Sequence, residues 1–436
     1  MQKSQIQFIE GKISTFFKFA NIQKLAKKNK VIQRKPKKIT PKNFIISHWE
    51  LLSKNSFSYD NWAVQLGLLS NQKVSGQAIW KRMNKEMVSL IKDLLNKSFE
   101  QKLDKFIDSQ IFKPFNQVYI QDATHFSLPT VLETKFAGSF SRYRKTATAK
   151  IQATFNIKKG AFSSFKVNSF RDNDQSDSPR IIEQIEESDL VIRDLGYFVI
   201  STFKKICSNN AFFLSRLKPN VAILSPLTLE PIDILSMMKN KKEGVDIPVL
   251  LGKKEQMACR LVVLPVPEKV ANERRRKAKA DRNKQANHGK KYLQILSYTI
   301  YITNVDKKVW SANDVAKAYQ SRWYIEILFK SWKSHLQIKN VIPEKYINEI
   351  RAEYLFYSSL LMINVLVHPF FLKVSERTSK ENKYVSIIKI CDFVSKNMSA
   401  FLRENNMEAL IDSARYFCLY DSRNDRINSI QLLLLS

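Results

Sequence analysis

The sequence predicts an α/β protein: a mixed-sheet core interrupted by a β-rich insertion and flanked at both ends by helical domains. Three observations predict it. Apolar residues recur at helical spacing through the N-terminal hundred or so residues; the texture changes at Gln117 into short apolar runs; and helical spacing returns at Ala312 and lasts to the end. A chain of 436 residues is too long for one simple core, and 44% hydrophobic residues suffice to fill several.

Residues 1–108 read as a helical, basic domain. The first 42 residues carry twelve Lys/Arg and one Glu, with Ile6, Phe8, Ile9, Ile13 and Phe17 at roughly helical intervals. A basic arm lying on phosphates and an ordinary solvated helix face fit this stretch equally well. Within Phe44–Leu94, Trp62–Leu69 followed by Ser75–Met87 resembles a helix-turn-helix, with Gly67 supplying the turn, Ser75 the N-cap, and Gln77, Lys81, Arg82 and Lys85 projecting outward. Any two-helix hairpin shares that pattern.

Residues 109–217 hold five expected strands: VYIQD (118–122), KIQATFNI (150–157), AFSSFKVNS (161–169), LVIRD (190–194) and AFFLSRL (211–217). DSPRIIEQIEE (177–187) reads as a helix capped by Asp177 or Ser178, with Pro179 in its first turn and Ile181, Ile182 and Ile185 on its buried face. A second helix, about 198–207, links the fourth strand to the fifth. Three early strands, a helix, then alternating strand and helix is the order of an RNase H-like mixed sheet. Residues 218–309 break that rhythm with IPVLLG, CRLVVLPVP and LQILSYTIYITN around the basic segment Asn272–Lys291, and read as a β-rich insertion with a basic loop. Residues 310–345 return to the core, and 346–436 form a helical C-terminal domain. Its most apolar stretch, Leu360–Leu372, is interrupted by Asn364, His368 and Pro369 and reads as a buried helix too short to span a bilayer.

Charge narrows the function. Against 72 Lys+Arg stand 40 Asp+Glu, a formal net charge of +32. Such a field concentrates polyanions: nucleic acid first, an anionic membrane surface second. A lysine-rich proteome would raise the whole count without explaining runs such as Lys35–Lys42 and Arg274–Lys279. Cys207, Cys259, Cys391 and Cys418 show neither CxxC nor Cys/His spacing, which argues against a zinc site or a disulfide framework and fits a reducing cytoplasm. The five histidines are equally scattered, and no signal peptide is expected.

The segment Ala312–Lys339 is the most informative. Read as one helix, it puts Tyr319, Arg322, Glu326, Lys330 and Lys333 within a stripe of roughly 80°. Ile325, Leu328, Phe329, Trp332 and Leu336 form a separate apolar stripe. A solvated face usually mixes signs; one carboxylate among three cations and a phenol points to metal chelation beside phosphate contacts. Two strand-end acids precede it, Asp122 in VYIQDATHF and Asp194 in LVIRDLGYF, with Gly196 allowing a tight turn after the second. Asp172, Asp174 and Asp177 are rivals better explained by turn chemistry.

The spacing Y-x2-R-x3-E-x6-K at Tyr319, Arg322, Glu326 and Lys333 resembles the signature of the YREK-type DDE transposases of bacterial insertion sequences, family four and its composite-transposon relatives. Asp-Leu-Gly-Tyr at 194–197 is similar to that family's second acidic block, and Asp122 to its first; the likeness covers about residues 115–340. It implies an RNase H-like catalytic core in which Asp122, Asp194 and Glu326 hold two Mg²⁺ (or Mn²⁺) ions. Tyr319, Arg322, Lys330, Lys333 and Arg216 would contact DNA, as would Arg274, Arg275, Arg276 and Lys277 from the insertion. Tyr298 or Tyr301 stands where relatives carry a base-stacking aromatic, although the expected Trp is absent and a core-facing strand residue is the simpler reading. The implied protein is a transposase that cleaves the ends of its element and joins the freed 3′-OH to target DNA. It would act in the cytoplasm at the nucleoid, as a homodimer on double-stranded DNA, with no membrane. A catalytically decayed DNA-binding regulator and another RNase H-like nuclease are the competing readings.

Overall fold

Period-two burial continues past the expected end of the first strand. Thr124, Phe126 and Leu128 are buried while His125 and Ser127 face solvent, so in the computed structural model β1 spans Val118–Leu128 and Asp122 lies within it rather than at its end. The other strands are β2 (Ala147–Asn156), β3 (Ala161–Ser169), β4 (Leu190–Arg193), β5 (Phe212–Arg216), β6 (Ile223–Leu224), β7 (Val245–Leu251), β8 (Met257–Pro265) and β9 (Tyr298–Thr303). The structure describes residues 13–34, 39–52, 57–100, 109–140, 144–239, 241, 243–281, 289–381, 383–403 and 406–420. Ile6, Phe8, Ile9 and the lysines at 35, 37 and 38 lie outside the described residues.

The chain divides into two compact units, each discontinuous in sequence: residues 1–107, 122–173 and 323–431 in the first, and 108–121, 174–322 and 432–436 in the second. The sequence boundaries divide the chain by role, these units by packing.

In the second unit the strands run in the order β1-β4-β5-β9-β8-β7-β6. Val118–Gln121 of β1 pair in parallel with Leu190–Arg193 of β4, and β4 pairs in parallel with β5. All later pairings are antiparallel. β9 bonds to β5 on one edge and β8 on the other, so the strands of residues 218–309 extend the sheet that carries β4 and β5. Val191, Phe213, Leu261 and Ile302 share its core with Phe203 and Ile206 from the helix Ile200–Ser208. The helix expected over 177–187 shrinks to a single turn, Asp174–Asp177, and a 3-10 segment, Ser178–Glu183. Asp177 does not cap it; its carboxylate is buried and taken by Arg180 Nε at 2.9 Å. Of LQILSYTIYITN only the second half is strand; Lys290–Ile295 is helical. The first part of the segment expected as a basic loop is helical, within Glu268–Lys279; residues 282–288 lie outside the described residues.

In the first unit β2 and β3 form an antiparallel hairpin, Ala149 opposite Ser169 through Asn156 opposite Ala161. Helices Pro41–Leu51, Lys85–Phe99 and Glu349–Met362 bury its other core. Trp49 Nε1 donates to Ser358 O at 3.0 Å, and His48 Nδ1 lies 2.8 Å from Ser358 Oγ. The helical stretch Glu349–Ser379, continued through a π turn at Ile363–Val367, is longer than the sequence led us to expect and by length and composition alone would cross a membrane. Its most apolar window is 94% buried inside the protein, which makes it a core helix. The N-terminal hairpin also differs from expectation. Ser75 does cap the helix Gly76–Arg82, but the preceding helix continues through Gly67 to Ser70 and turns at Asn71, whose φ of 49° lies in the left-handed region that asparagine tolerates. Asn84 caps a new helix, so Ser75–Met87 is not one element.

The informative C-terminal segment is two helices, Ala312–Gln320 and Trp323–Ser334. The Ser321 hydroxyl donates back to Ala318 O at 2.6 Å, and the backbone N–H groups of Ser321 and Arg322 bond three residues back, to Ala318 O and Tyr319 O. That tightening breaks the α pattern. Ile325, Leu328, Phe329, Trp332 and Leu336 are all buried, as expected, and Glu326, Lys330 and Lys333 are exposed on the second helix.

Two histidines of this unit, His48 and His368, are fully buried, and burial lowers them to about 3 and about 4. Their folded values lie below the unfolded one, so they stay neutral in the fold, and stability is lost as pH falls below about 6.5. Each should cost about 2 kcal/mol between pH 7 and pH 5. Denaturant titrations at the two pH values should show this loss, and His48→Gln should remove about half of it; equal stability at both pH values would disprove the assignment.

Candidate active site

Asp194 follows the last residue of β4 and accepts from Gly196 N at 3.4 Å, capping the 3-10 turn Leu195–Tyr197. An ordinary strand-to-turn cap explains that much. What surrounds it goes further. Arg322 Nε lies 3.8 Å from Asp194 Oδ1, and the Arg322 guanidinium sits 5.7 Å from the centre of the Tyr319 ring. The Tyr319 ring packs on that of Tyr301, with centroids 5.3 Å apart. Tyr301 is the register partner of Arg216 across β5 and β9. The positive charge of Arg216 bears on Tyr301, on Tyr319 and on Arg274. Burial raises the Tyr319 hydroxyl far above its usual range, against a smaller opposing effect of Arg322, so it stays protonated. The second unit thus brings together Asp194, Arg216, Arg274, Tyr301, Tyr319 and Arg322.

Arg322 was expected on an exposed stripe but is only 10% exposed at its side chain, while Asp194 is 40% exposed. At 3.8 Å and with the carboxylate this open, the pair contributes at most about 1 kcal/mol. Asp194 is therefore reachable by a cation. Gly196 has no positive φ, so the freedom expected of it is not what the turn uses. A Cβ there would come within 3.0 Å of Asp174 Oδ2, so glycine instead admits the close approach of that carboxylate.

The four expected basic residues of the insertion divide in two. Arg274 donates to Tyr298 O and Thr299 Oγ1, both at 3.1 Å, and Arg275 donates to Leu293 O at 3.3 Å and pairs with Glu268 at 2.8 Å. These two fasten the helix Glu268–Lys279 to the start of β9. Arg276 and Lys277 are exposed, Lys277 holding Glu273 at 2.8 Å. Tyr298 opens β9, half-buried, opposite Pro265.

On the first unit, Asp122 is half-buried and its Oδ1 accepts from Ala123 N at 2.8 Å. Glu326 occupies the first turn of Trp323–Ser334 and shares that helix's exposed face with Lys330 and Lys333. Lys333 Nζ lies 5.5 Å from the centre of the Phe126 ring, and partial burial lowers it from the usual lysine range. His125 is lowered by burial first, then by Lys333 and Lys150, which keeps its ring neutral. The sequence reading missed His125 and Lys150. For Lys150 the signal was present: a lysine inside the otherwise core-like run ATAKIQATFN. It is buried, donates to Asp172 O at 2.8 Å and lies 5.4 Å from the Phe170 ring centre. Arg193, also missed, stood out in the same way at the end of LVIR. Burial pushes it down to about 9, with Tyr197 and Asp177 opposing, so it remains charged at neutral pH.

Carboxylates are the ligands that hard divalent cations take, so Asp122, Asp194 and Glu326 are chemically fit for that role. Among the described residues, no three His, Cys, Asp or Glu side chains form a cluster able to hold a metal ion.

Comparison with known proteins identifies the chemistry. A family described as the transposase DDE domain matches residues 113–364, more than half of the 436. The transposase for insertion sequence element IS231B of Bacillus thuringiensis subsp. berliner is 28% identical over 407 residues, covering 88% of this chain and 84% of that protein. The transposase for insertion sequence element IS1151 of Clostridium perfringens is 26% identical over 366 residues, 77% of this chain and 76% of that one. A cryo-EM structure of the piggyBac transposase synaptic complex with hairpin DNA superposes with a TM-score of 0.47 and 9% identity over 96% of this chain and 87% of that one. With its core matched from residue 113 to 364, the chain belongs to the transposase DDE domain family and is a metal-dependent DNA-cleaving and strand-transfer enzyme.

Proposed function

We propose that this transposase is of the YREK type, serves an insertion sequence and works through an RNase H-like core in which Asp122, Asp194 and Glu326 hold two Mg²⁺ or Mn²⁺ ions. The observation that carries this is the grouping of Asp194 with Arg322 and Tyr319, three of the six positions in the resemblance, around one exposed carboxylate. When bound, the cations activate water and neutralise charge developing at phosphorus and on the leaving oxygen.

The chain's own residues do the rest. Arg322, anchored by Asp194, offers its planar fork to phosphate oxygens of the element end. The Tyr319 hydroxyl, kept protonated, donates a hydrogen bond to one of them. Lys330 and Lys333 add point charges along the backbone, fixing register without reading sequence. Arg216 extends the same positive wall, and Tyr298 is the candidate for stacking on an unpaired base. The resulting reaction order is nicking to free a 3′-OH, second-strand cleavage and in-line attack of that hydroxyl on target DNA. In this reading residues 1–108 bind DNA, 109–217 with 310–345 are catalytic, 218–309 is the basic insertion, and 346–436 pairs two copies into a homodimer at the nucleoid.

Replacing Asp122, Asp194 or Glu326 singly by alanine should abolish cleavage of the element's own ends with Mg²⁺ while binding to those ends survives, since cation ligands act as one unit and phosphate grip comes from other residues. Gel-shift and cleavage assays on the same DNA read both; strong residual cleavage removes that residue from the site.

Lys333→Glu should lose end binding and cleavage together. Arg322→Lys keeps the charge without the fork and should lose mainly cleavage, because a misplacement of about 1 Å can cost on the order of 100-fold. Wild-type cleavage by either variant would overturn the YREK assignment.

The basic helix separates two roles. Neutralising Arg276, Lys277 and Lys279 should flatten the salt dependence of DNA binding by up to about one unit of log–log slope per lost contact. Arg274→Ala should instead lower the melting temperature, because it strands the carbonyl of Tyr298. An unchanged slope in the first variant would make this face merely solvated.

A further inference from the structure

Two of the acids share an arrangement in the strands that carry them. Gln121 and Arg193 are the last register partners of the parallel pair β1 and β4; the residue after the first is Asp122, within β1, and the residue after the second is Asp194, with extended backbone just past the end of β4. Side chains alternate along a strand, so Gln121 and Arg193 project to the face opposite the acids. Arg193 is completely buried. Its Nη2 donates to Gln121 Oε1 at 2.6 Å and its Nη1 to Ser178 Oγ at 2.8 Å; Nη2 also donates to Ser178 O. Ser178 Oγ in turn bonds to Tyr197 O at 3.0 Å, at the far end of the turn that Asp194 caps. Gln121 Nε2 reaches Asp177 O and Oδ2, both at 3.4 Å. One guanidinium therefore ties β1 to β4 and, through Ser178, reaches the far end of the turn after Asp194.

Stability does not explain this residue. Burying a guanidinium costs several kcal/mol, and an apolar side chain of similar volume there is often neutral or better. Arg193 Nε is also left without a hydrogen-bond partner, a further penalty. The best-attested return on a buried charge is register. Here a slip of one residue would flip the side chains of the slipped strand and offset the two acids by about 3.3 Å along the strands.

We propose that Arg193 is a positioning residue for the cation site, locking β1 and β4 in register through Gln121 and holding the turn after Asp194 through Ser178. The inference rests on the reading that Asp122 and Asp194 are cation ligands. It gives the chain a requirement, a buried arginine one residue before the second acid, that acts without touching DNA or cation.

The test uses the full-length protein without DNA and reads Mn²⁺ affinity by electron paramagnetic resonance titration, beside the melting temperature. Arg193→Met and Gln121→Met should each weaken Mn²⁺ binding by about tenfold or more, the range typical of residues that orient metal ligands. Gln121→Met preserves side-chain length and carries the test should Arg193→Met fail to fold. Arg260→Met, which breaks the buried pair with Asp246 at 2.6 Å between β7 and β8, destabilises the same sheet and should leave Mn²⁺ affinity within about twofold. Asp194→Ala should abolish tight binding. If Gln121→Met binds Mn²⁺ as the wild type does while Asp194→Ala does not, the positioning role is wrong and the ligand reading stands. If Arg260→Met weakens binding as much as Gln121→Met, the effect is general loss of the sheet and the proposal falls. Wild-type binding by Asp194→Ala would take down the ligand reading and this inference together.

Discussion

The parallel pairing of Val118–Gln121 with Leu190–Arg193 is the constraint on which the rest of the second unit depends. A parallel pair cannot be closed by a tight hairpin, so the chain must leave after β1 and return before β4. β4 is short, both strands are buried on this stretch, and only four register pairs join them. Backbone bonds alone over so few residues specify register weakly. The buried polar group of Gln121, Arg193 and Ser178 supplies what is missing, and β5, β9, β8 and β7 then add to the free edge of β4 in turn.

Basic residues in this chain do two kinds of work, and burial separates them. Arg193, Arg260 and Lys150 are buried and hold carbonyls or carboxylates inside the fold. Arg274 and Arg275 are half-buried and fasten a helix to its strand. Lys330, Lys333, Arg276 and Lys277 remain at the surface. The net charge of +32 is therefore not all displayed at the surface, because some of the basic side chains are held inside the fold. Around Asp194 the two uses meet: Arg322 is mostly buried and faces a carboxylate that is not.

The sequence by itself determined the elements whose pattern is local. β3 was read to the residue, β4 and β5 to within one or two, and the apolar stripe from Ile325 to Leu336 is buried as the helical spacing required. Periodicity is a property of neighbouring residues, so it is legible without a partner. The DDE transposase family was legible too, from the resemblance carried by the spacing of Tyr319, Arg322, Glu326 and Lys333, and the match over residues 113–364 agrees with that family. What only the tertiary structure decided depends on groups distant in sequence. The Ser321 turn splits the expected single helix, Asp177 gives up its capping role to Arg180, and β9 leaves the presumed insertion to pair with β5. Whether Arg193 is a surface base or a buried clamp was likewise undecided by its own neighbours. Its partners, Gln121 and Ser178, lie 72 and 15 residues away, and a buried charge is recognisable only once the groups that satisfy it have been brought to it.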